Sequence, residues 1–269
     1  MRPNVHIHDS DDVLNHVAVI IPARMKASRL PDKPLAMIND VPMIVHVMRR
    51  ALEAGFGTHG GKVVVACDDQ RIVDAVEADN QPGAVAVLTD PDHPSGSDRV
   101  FEALEKIDHD KKISIIVNLQ GDLPDIDASI LHPLVDALVS HDADIATPIA
   151  RATNEEIVKP QVVKAAVAFG PTAPQSGVSA PILYFSRHPI PYGGGDDVPI
   201  WHHVGIYAWR RDALARFVSL PPSPLEQTEK LEQLRALEGG MKIVGLVVDT
   251  APGGIDTPED LADARQRMA

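Results

Sequence analysis

Aromatic side chains supply only 4% of the 269 residues, and a single cysteine, Cys67, stands alone. A lone cysteine excludes an intrachain disulfide framework; at a strand end it reads as a small buried residue rather than a reactive thiol. No apolar run reaches membrane-spanning length, which excludes a transmembrane helix. Cations are also scarce. The 25 Lys and Arg face 38 Asp and Glu, a formal charge of −13, and a general nucleic-acid binder needs an extended cationic surface. The glycine patterns of a Walker A loop and of a Rossmann fingerprint are missing, as is the cysteine or helical histidine spacing that would make the adjacent His202 and His203 a zinc site. The first residues lack the cationic start and apolar stretch of a signal peptide, so a cytoplasmic protein is expected. Residues 1–15, with His6, His8, Asp9, Asp11 and Asp12, read as a flexible N-terminal extension; metal binding is the alternative.

What is present is enough apolar material, 44% of the chain, for one globular domain over 16–269 with a subdomain at about 144–210. Strand-length apolar runs recur at 17–21, 62–66, 84–88 and 114–119, each followed by helical periodicity. That is the βαβ rhythm of a mostly parallel α/β sheet. Pro42 suits a first helical turn, Gly55 ends that helix, and Asp69 can cap 70–79. From 144 the rhythm changes. Strand-like stretches at 144–150, 162–169, 181–186 and 204–209 follow with few helices between, predicting an added antiparallel layer that covers a substrate or meets another subunit. The loops 170–180 and 189–199 are rich in Gly and Pro, as mobile or lid segments are. A helix is expected over 224–238, a strand over 242–248, and a last helix over 258–268. Thr257, Pro258 and Asp260 give that helix a capping-box start, and Asp256 sits just before it.

The chemistry begins where the first strand empties into a loop with Arg24, Lys26, Arg29 and Lys33, four cations within ten residues of an acidic chain. At the carboxyl edge of a parallel sheet such a loop suits a polyphosphate. Pro31 and Pro34 stiffen it, which lowers the ordering cost of presenting its charges. Gln120-Gly121-Asp122 follows the strand 114–119 at the same edge. A glycine there lets main chain approach a ligand while the carboxylate can hold a hard cation; Mg²⁺ takes one or two protein carboxylates and completes its shell with phosphate and water. Asp122 and Asp256 are candidate ligands on that chemistry. Taken singly, an aspartate at either position is more often a cap or turn residue than a metal ligand.

These residues also carry a family resemblance. The runs IPARMKASRLPDKPL, PMIVHV (42–47), SGSDR (95–99), VNLQGD (117–122), YFSR (184–187), HVGIY (203–207), SPLEQTEKLEQLR (223–235) and IDTPEDL (255–261) resemble, in order, the 3-deoxy-manno-octulosonate (Kdo) cytidylyltransferases. The resemblance implies a Rossmann-like, GT-A-like nucleotidyltransferase sheet with a smaller antiparallel dimerisation or substrate-covering subdomain. It implies a Mg²⁺-dependent homodimer that joins CTP to Kdo, giving CMP-Kdo and pyrophosphate for lipopolysaccharide synthesis. It gives Arg24, Lys33 and Asp122 to catalysis and Arg24, Ser28, Lys33, Ser95, Gly96 and Asp122 to the nucleotide. It gives Gln120, Arg187, His203, Tyr207, Glu232, Gln233 and Asp256 to the sugar acid, and Asp122 with Asp256 to the metal. Without it, Glu232 and Gln233 read as helix-surface residues. Ala27, Leu123 and Asp98 depart from the family's usual Ser, Glu and Glu. The alternatives are a sialic-acid cytidylyltransferase, whose loop differs from Ser28-Arg29-Leu30-Pro31, and a nucleotide-binding module without catalysis.

Overall fold

The computed structural model describes residues 14–26, 29–58, 61–171, 173–195 and 198–269. Ser28 and Ala27, and most of the expected N-terminal extension, lie outside them. The chain divides into two units, one of residues 1–128 with 254–269 and one of residues 129–253.

In the first unit, β1 (Val17–Ala23) pairs in parallel with β4 (Lys62–Cys67) and with β6 (Ile115–Asn118), and β4 pairs in parallel with β5 (Ala84–Leu88). Val17 to Ile21 and Val63 to Cys67 are buried without alternation, as expected of parallel strands covered on both faces. All four strands run the same way, so Arg24, Asp68, Thr89 and Gln120 leave the sheet at one edge. Between β1 and β4 lie a short hairpin, β2 (Met37–Ile38) with β3 (Val41–Pro42), and α1 (Met43–Glu53). Pro42 closes the hairpin and is the N-cap residue of α1, one position before the expected first turn. Gly55, with φ of +86°, carries the chain away from α1, a backbone shape that glycine adopts without strain. Asp69 caps α2 (Gln70–Asp79) by accepting the Arg71 N–H at 2.9 Å, and Ser95 caps α3 (Gly96–Ile107).

In the second unit, β7 (Ile145–Arg151) pairs in parallel with β12 (Ile243–Val248) and antiparallel with β10 (Trp201–His203) and β11 (Tyr207–Arg210). The ladder continues from β12 to β9 (Ser179–Ser186), β8 (Lys164–Val167) and back to β10, all antiparallel. Five strands thereby close on one another. Of the stretch expected as strand over 204–209, only 207–209 is strand, in β11, while residues 204–206 bend at Gly205 to join it to β10; Thr147 Oγ1, buried in β7, lies 2.8 Å from the carbonyls of both Val204 and Ile206 and fixes the bend. The loop 170–180 is stitched at its end, because Gly177 N donates to Val247 O at 2.9 Å and Val247 N to Val178 O at 2.8 Å.

The helix expected over 224–238 is interrupted. Pro224–Glu229 begins with a capping box between Ser223 and Glu226, ends at Lys230 in the left-handed conformation with φ of 57°, and is followed by a separate helix Gln233–Glu238. Arg187 explains the break: its guanidinium donates to the carbonyls of Glu229, Lys230 and Pro160, taking up acceptors that the helix end leaves open. The chain then returns through β12 to the first unit, where the C-terminal helix Pro258–Arg267 starts with the Thr257–Asp260 capping box.

Candidate active site

Leu30, Ile38, Met43, Ile255, Leu261 and Ala264 form one buried cluster in the first unit. It pins the far side of the basic loop against the C-terminal helix, and the following 3-10 turn, Lys33–Leu35, buries Pro34 and aims Lys33 back at the sheet edge. Gly121 brings Asp122 to the same place. A side-chain carbon at residue 121 would stand 2.8 Å from the Pro22 carbonyl, closer than real contacts allow, so only glycine lets this turn lie on the end of β1. Asp256 arrives from the other direction. Ile255 N donates to Asp122 O at 3.0 Å, and the Asp256 and Thr257 N–H groups both donate to Asp260 Oδ2.

The result is an ion cluster within one unit. Lys33 Nζ donates to Asp122 Oδ2 at 2.8 Å and to Asp256 Oδ1 at 2.9 Å, and Arg29 Nη2 donates to Asp256 Oδ2 at 2.8 Å. Burial alone would lower the Lys33 pKa, but the two carboxylates outweigh it and leave it above the ordinary lysine value. Burial likewise pushes Asp256 up, and Lys33 with Arg29 overrides that and holds it below the ordinary aspartate value. Both stay charged at neutral pH. Arg24 and Lys26 are exposed and have no ion-pair partner among the described residues. With Arg29, Lys33, Asp122 and Asp256 they line a cavity of about 600 Å³ that also receives Gln120, a size suited to a small-molecule ligand. Four cations against two carboxylates leave it net positive, the right balance for a polyanion.

The donor set also fits Mg²⁺. Two carboxylates already converge on one cation, the Lys33 ammonium, and Mg²⁺ needs no more protein ligands than that when phosphates supply the remainder. Among the described residues no group of three or more His, Cys, Asp and Glu forms a closed metal cage. Ser95 and Gly96 stand at the start of α3, outside the lining of this cavity; Ser95 Oγ donates to Asp98 Oδ2 at 2.6 Å. Lys26 and Arg29 were not singled out individually by sequence, although both belong to the basic run.

Of the residues that the resemblance gives to the sugar acid, Gln120 and Asp256 belong to the first unit and the others to the second. His203, on β10, packs edge-on to Phe185 at 4.8 Å between ring centroids and lies 5.5 Å from Tyr207. Burial, assisted by His202, pushes the His203 pKa down to about 3, so the ring is neutral at pH 7; its Nε2 is buried without a hydrogen-bond partner among the described residues. Burial and the nearby Glu232 charge raise the Tyr207 hydroxyl pKa. Gln233 is 7% exposed and so is no helix-surface residue. Arg187 is spent differently from the others, on the three carbonyls that hold the helix break.

Residues 18–243 match the family described as Cytidylyltransferase. A Parvibaculum lavamentivorans protein named 3-deoxy-manno-octulosonate cytidylyltransferase is 51% identical over 259 residues, 96% of this chain and 95% of that one. A Paramagnetospirillum magneticum protein of the same name is 52% identical over 248 residues, 92% and 95% of the two chains. Among solved structures, CMP:2-keto-3-deoxy-manno-octonic acid synthetase complexed with CTP superposes with a TM-score of 0.82 at 38% identity, covering 94% of this chain and 98% of that one. A cytidylyltransferase from Leptospira borgpetersenii, 19% identical with a TM-score of 0.53 over 91% and 83% of the two chains, shares the fold alone. With relatives of this identity spanning nearly its whole length, this mixed α/β chain is a nucleotidyltransferase and belongs to the 3-deoxy-manno-octulosonate cytidylyltransferase family.

Proposed function

We propose that the chain transfers CMP from CTP to Kdo, releasing pyrophosphate. The observation that carries this reading is the junction of Lys33 with Asp122 and Asp256 in a cavity that also receives Arg24 and Lys26, which have no ion-pair partner among the described residues. Arg24 and Lys26 take the triphosphate. Mg²⁺ on Asp122 and Asp256 would supply neutralisation of phosphate charge and acidity for the attacking sugar hydroxyl. The anomeric hydroxyl attacks the α-phosphorus in line, the bond from the α-phosphorus to the bridging oxygen breaks, and Lys33 with Arg24 offsets the charge that gathers on pyrophosphate. No side chain is assigned as general base, so the protein's contribution is positioning and charge.

On the acceptor side the reading gives Gln120, Tyr207, Glu232 and Gln233 to the sugar hydroxyls, and Arg187 with His203 to the sugar carboxylate. Neutral His203 can donate or accept without adding charge, and Arg187 keeps N–H groups beyond the three engaged with carbonyls. Ser28, Ser95 and Gly96 complete the nucleotide side. The sheet β5–β4–β1–β6 is read as the GT-A-like nucleotide half, and the antiparallel strands of the second unit as the acceptor and homodimer layer of a cytoplasmic enzyme.

The test is pyrophosphate release from CTP with Mg²⁺, comparing Kdo, N-acetylneuraminate and no sugar. Release with Kdo, abolished by chelation, is expected. Release with N-acetylneuraminate instead would reassign the acceptor, and tight CTP binding with no release from any sugar would make the chain a binding module.

A further inference from the structure

Arg99 belongs to the SGSDR run, yet nothing so far gives it a task. Its side chain is 4% exposed and faces Asp68, whose side chain is 6% exposed, with Arg99 Nη2 3.8 Å from Asp68 Oδ2. The other carboxylate oxygen, Asp68 Oδ1, accepts the Met25 N–H at 2.9 Å. Met25 directly follows Arg24, one of the exposed cations of the cavity. Arg99 also donates through Nη1 to the buried Thr89 Oγ1, which donates in turn to Cys67 O at 2.9 Å. On its own helix Arg99 N donates to Ser95 O at 3.4 Å, and a side-chain carbon at Gly96 would stand 3.7 Å from Pro22 Cγ, so the Ser95–Gly96 turn rests on the residue two before Arg24. One buried guanidinium thus joins the ends of β4 and β5, the start of α3 and the first residues of the basic loop.

We propose that Asp68 and Arg99 are positioning residues for nucleotide binding: the pair fixes the main chain at Met25, and with it Arg24, relative to the Ser95–Gly96 turn. A buried ion pair is weak evidence for a gain in stability, since desolvation offsets most of its attraction, whereas specifying one geometry is a use that survives that cost. A cation on a loop is effective only when the loop is held in its productive position by neighbouring groups. Asp68 does not line the cavity; it acts through Arg24.

The inference rests on the CTP reading, and calorimetric titration of the full chain with CTP tests both. Asp68→Ala is expected to weaken CTP binding about tenfold, the effect of losing a hydrogen bond to a charged acceptor. The same change made in Arg24→Ala protein is expected to cost less than about twofold, because the group being positioned is already gone. Asp68→Asn, which keeps an oxygen for the Met25 N–H, restores most of the affinity. An equal loss in both Arg24 backgrounds would mean that Asp68 only stabilises the fold, and would overturn the proposal, as would an unchanged affinity. Should Asp68→Ala fail to fold, Arg99→Lys takes its place in the cycle. It keeps the charge but not the fork, and its loss of about threefold is expected only while Arg24 is present; a loss independent of Arg24, or none, overturns the proposal. Failure of the unchanged, cooperatively melting protein to bind CTP would instead bring down the nucleotide reading itself.

Discussion

Lys33→Met removes the ammonium that Asp122 and Asp256 share while keeping an unbranched side chain of similar length. The two contacts are 2.8 and 2.9 Å long. A hydrogen bond between charged groups contributes about 1.5–3 kcal/mol net, but the Asp256 side chain is 48% exposed and water screens its part. Taking the low end for Asp122 and a fraction of it for Asp256, about 2 kcal/mol must be given up before a free divalent ion can use both carboxylates, or about thirtyfold in affinity. Manganese reports this directly by electron paramagnetic resonance. Without nucleotide it is expected to bind Lys33→Met about thirtyfold more tightly than the unchanged protein, while pyrophosphate release falls about a hundredfold or more because the phosphates lose a half-buried cation. Equal manganese affinity in the two proteins would refute the reasoning, and so would a gain that survives when Asp122→Asn is added.

Three further outcomes are expected. Gly121→Ala drives a carbon to within 2.8 Å of Pro22 O, which should cost about 1–3 kcal/mol of stability and weaken CTP binding by displacing Asp122; an unchanged urea midpoint and CTP affinity would contradict the packing argument. His203, held neutral with a pKa of about 3, gains a proton on unfolding at any pH between that value and the ordinary one near 6.5, so stability is lost as pH falls below about 6.5. From pH 7 to pH 5 this amounts to about 2 kcal/mol, present in the unchanged protein and absent from His203→Gln; parallel stability curves for the two would show that the ring titrates normally in the fold. Thr257→Ala removes the N-cap of the C-terminal helix and should lower stability by about 1 kcal/mol in urea denaturation, and a change within error would mean that Asp260 alone secures the helix start.

Local signals were readable in the sequence because their causes are local. The apolar runs of β1 and β4, the Asp69 cap and the Thr257–Asp260 box need only neighbouring residues. The break after Glu229 was not readable, because Lys230 adopts its left-handed conformation under Arg187, the residue just after β9, which reaches in from far along the chain. The same distance hides the candidate site. Residue types made Lys33, Asp122 and Asp256 candidates, but their meeting on one ammonium depends on the parallel order of four strands and on the return of the chain after β12. Resemblance, not spacing, linked them. Arg99 escaped notice because a buried arginine in a helix looks in sequence like a solvated one.

The division of the chain has a consequence for synthesis. The first unit is interrupted after residue 128 and resumes at 254, so the second unit lies within it as an insertion. Asp122 leaves the ribosome well ahead of Asp256, with the whole insertion translated between them. Until the insertion has emerged, Lys33 can find only one of its two counterions, and Leu30, Ile38 and Met43 lack the apolar cover that Ile255, Leu261 and Ala264 provide. A nascent chain therefore carries an unfinished cleft, and the completion of the acidic pair waits on a segment made only after the inserted unit has had time to fold.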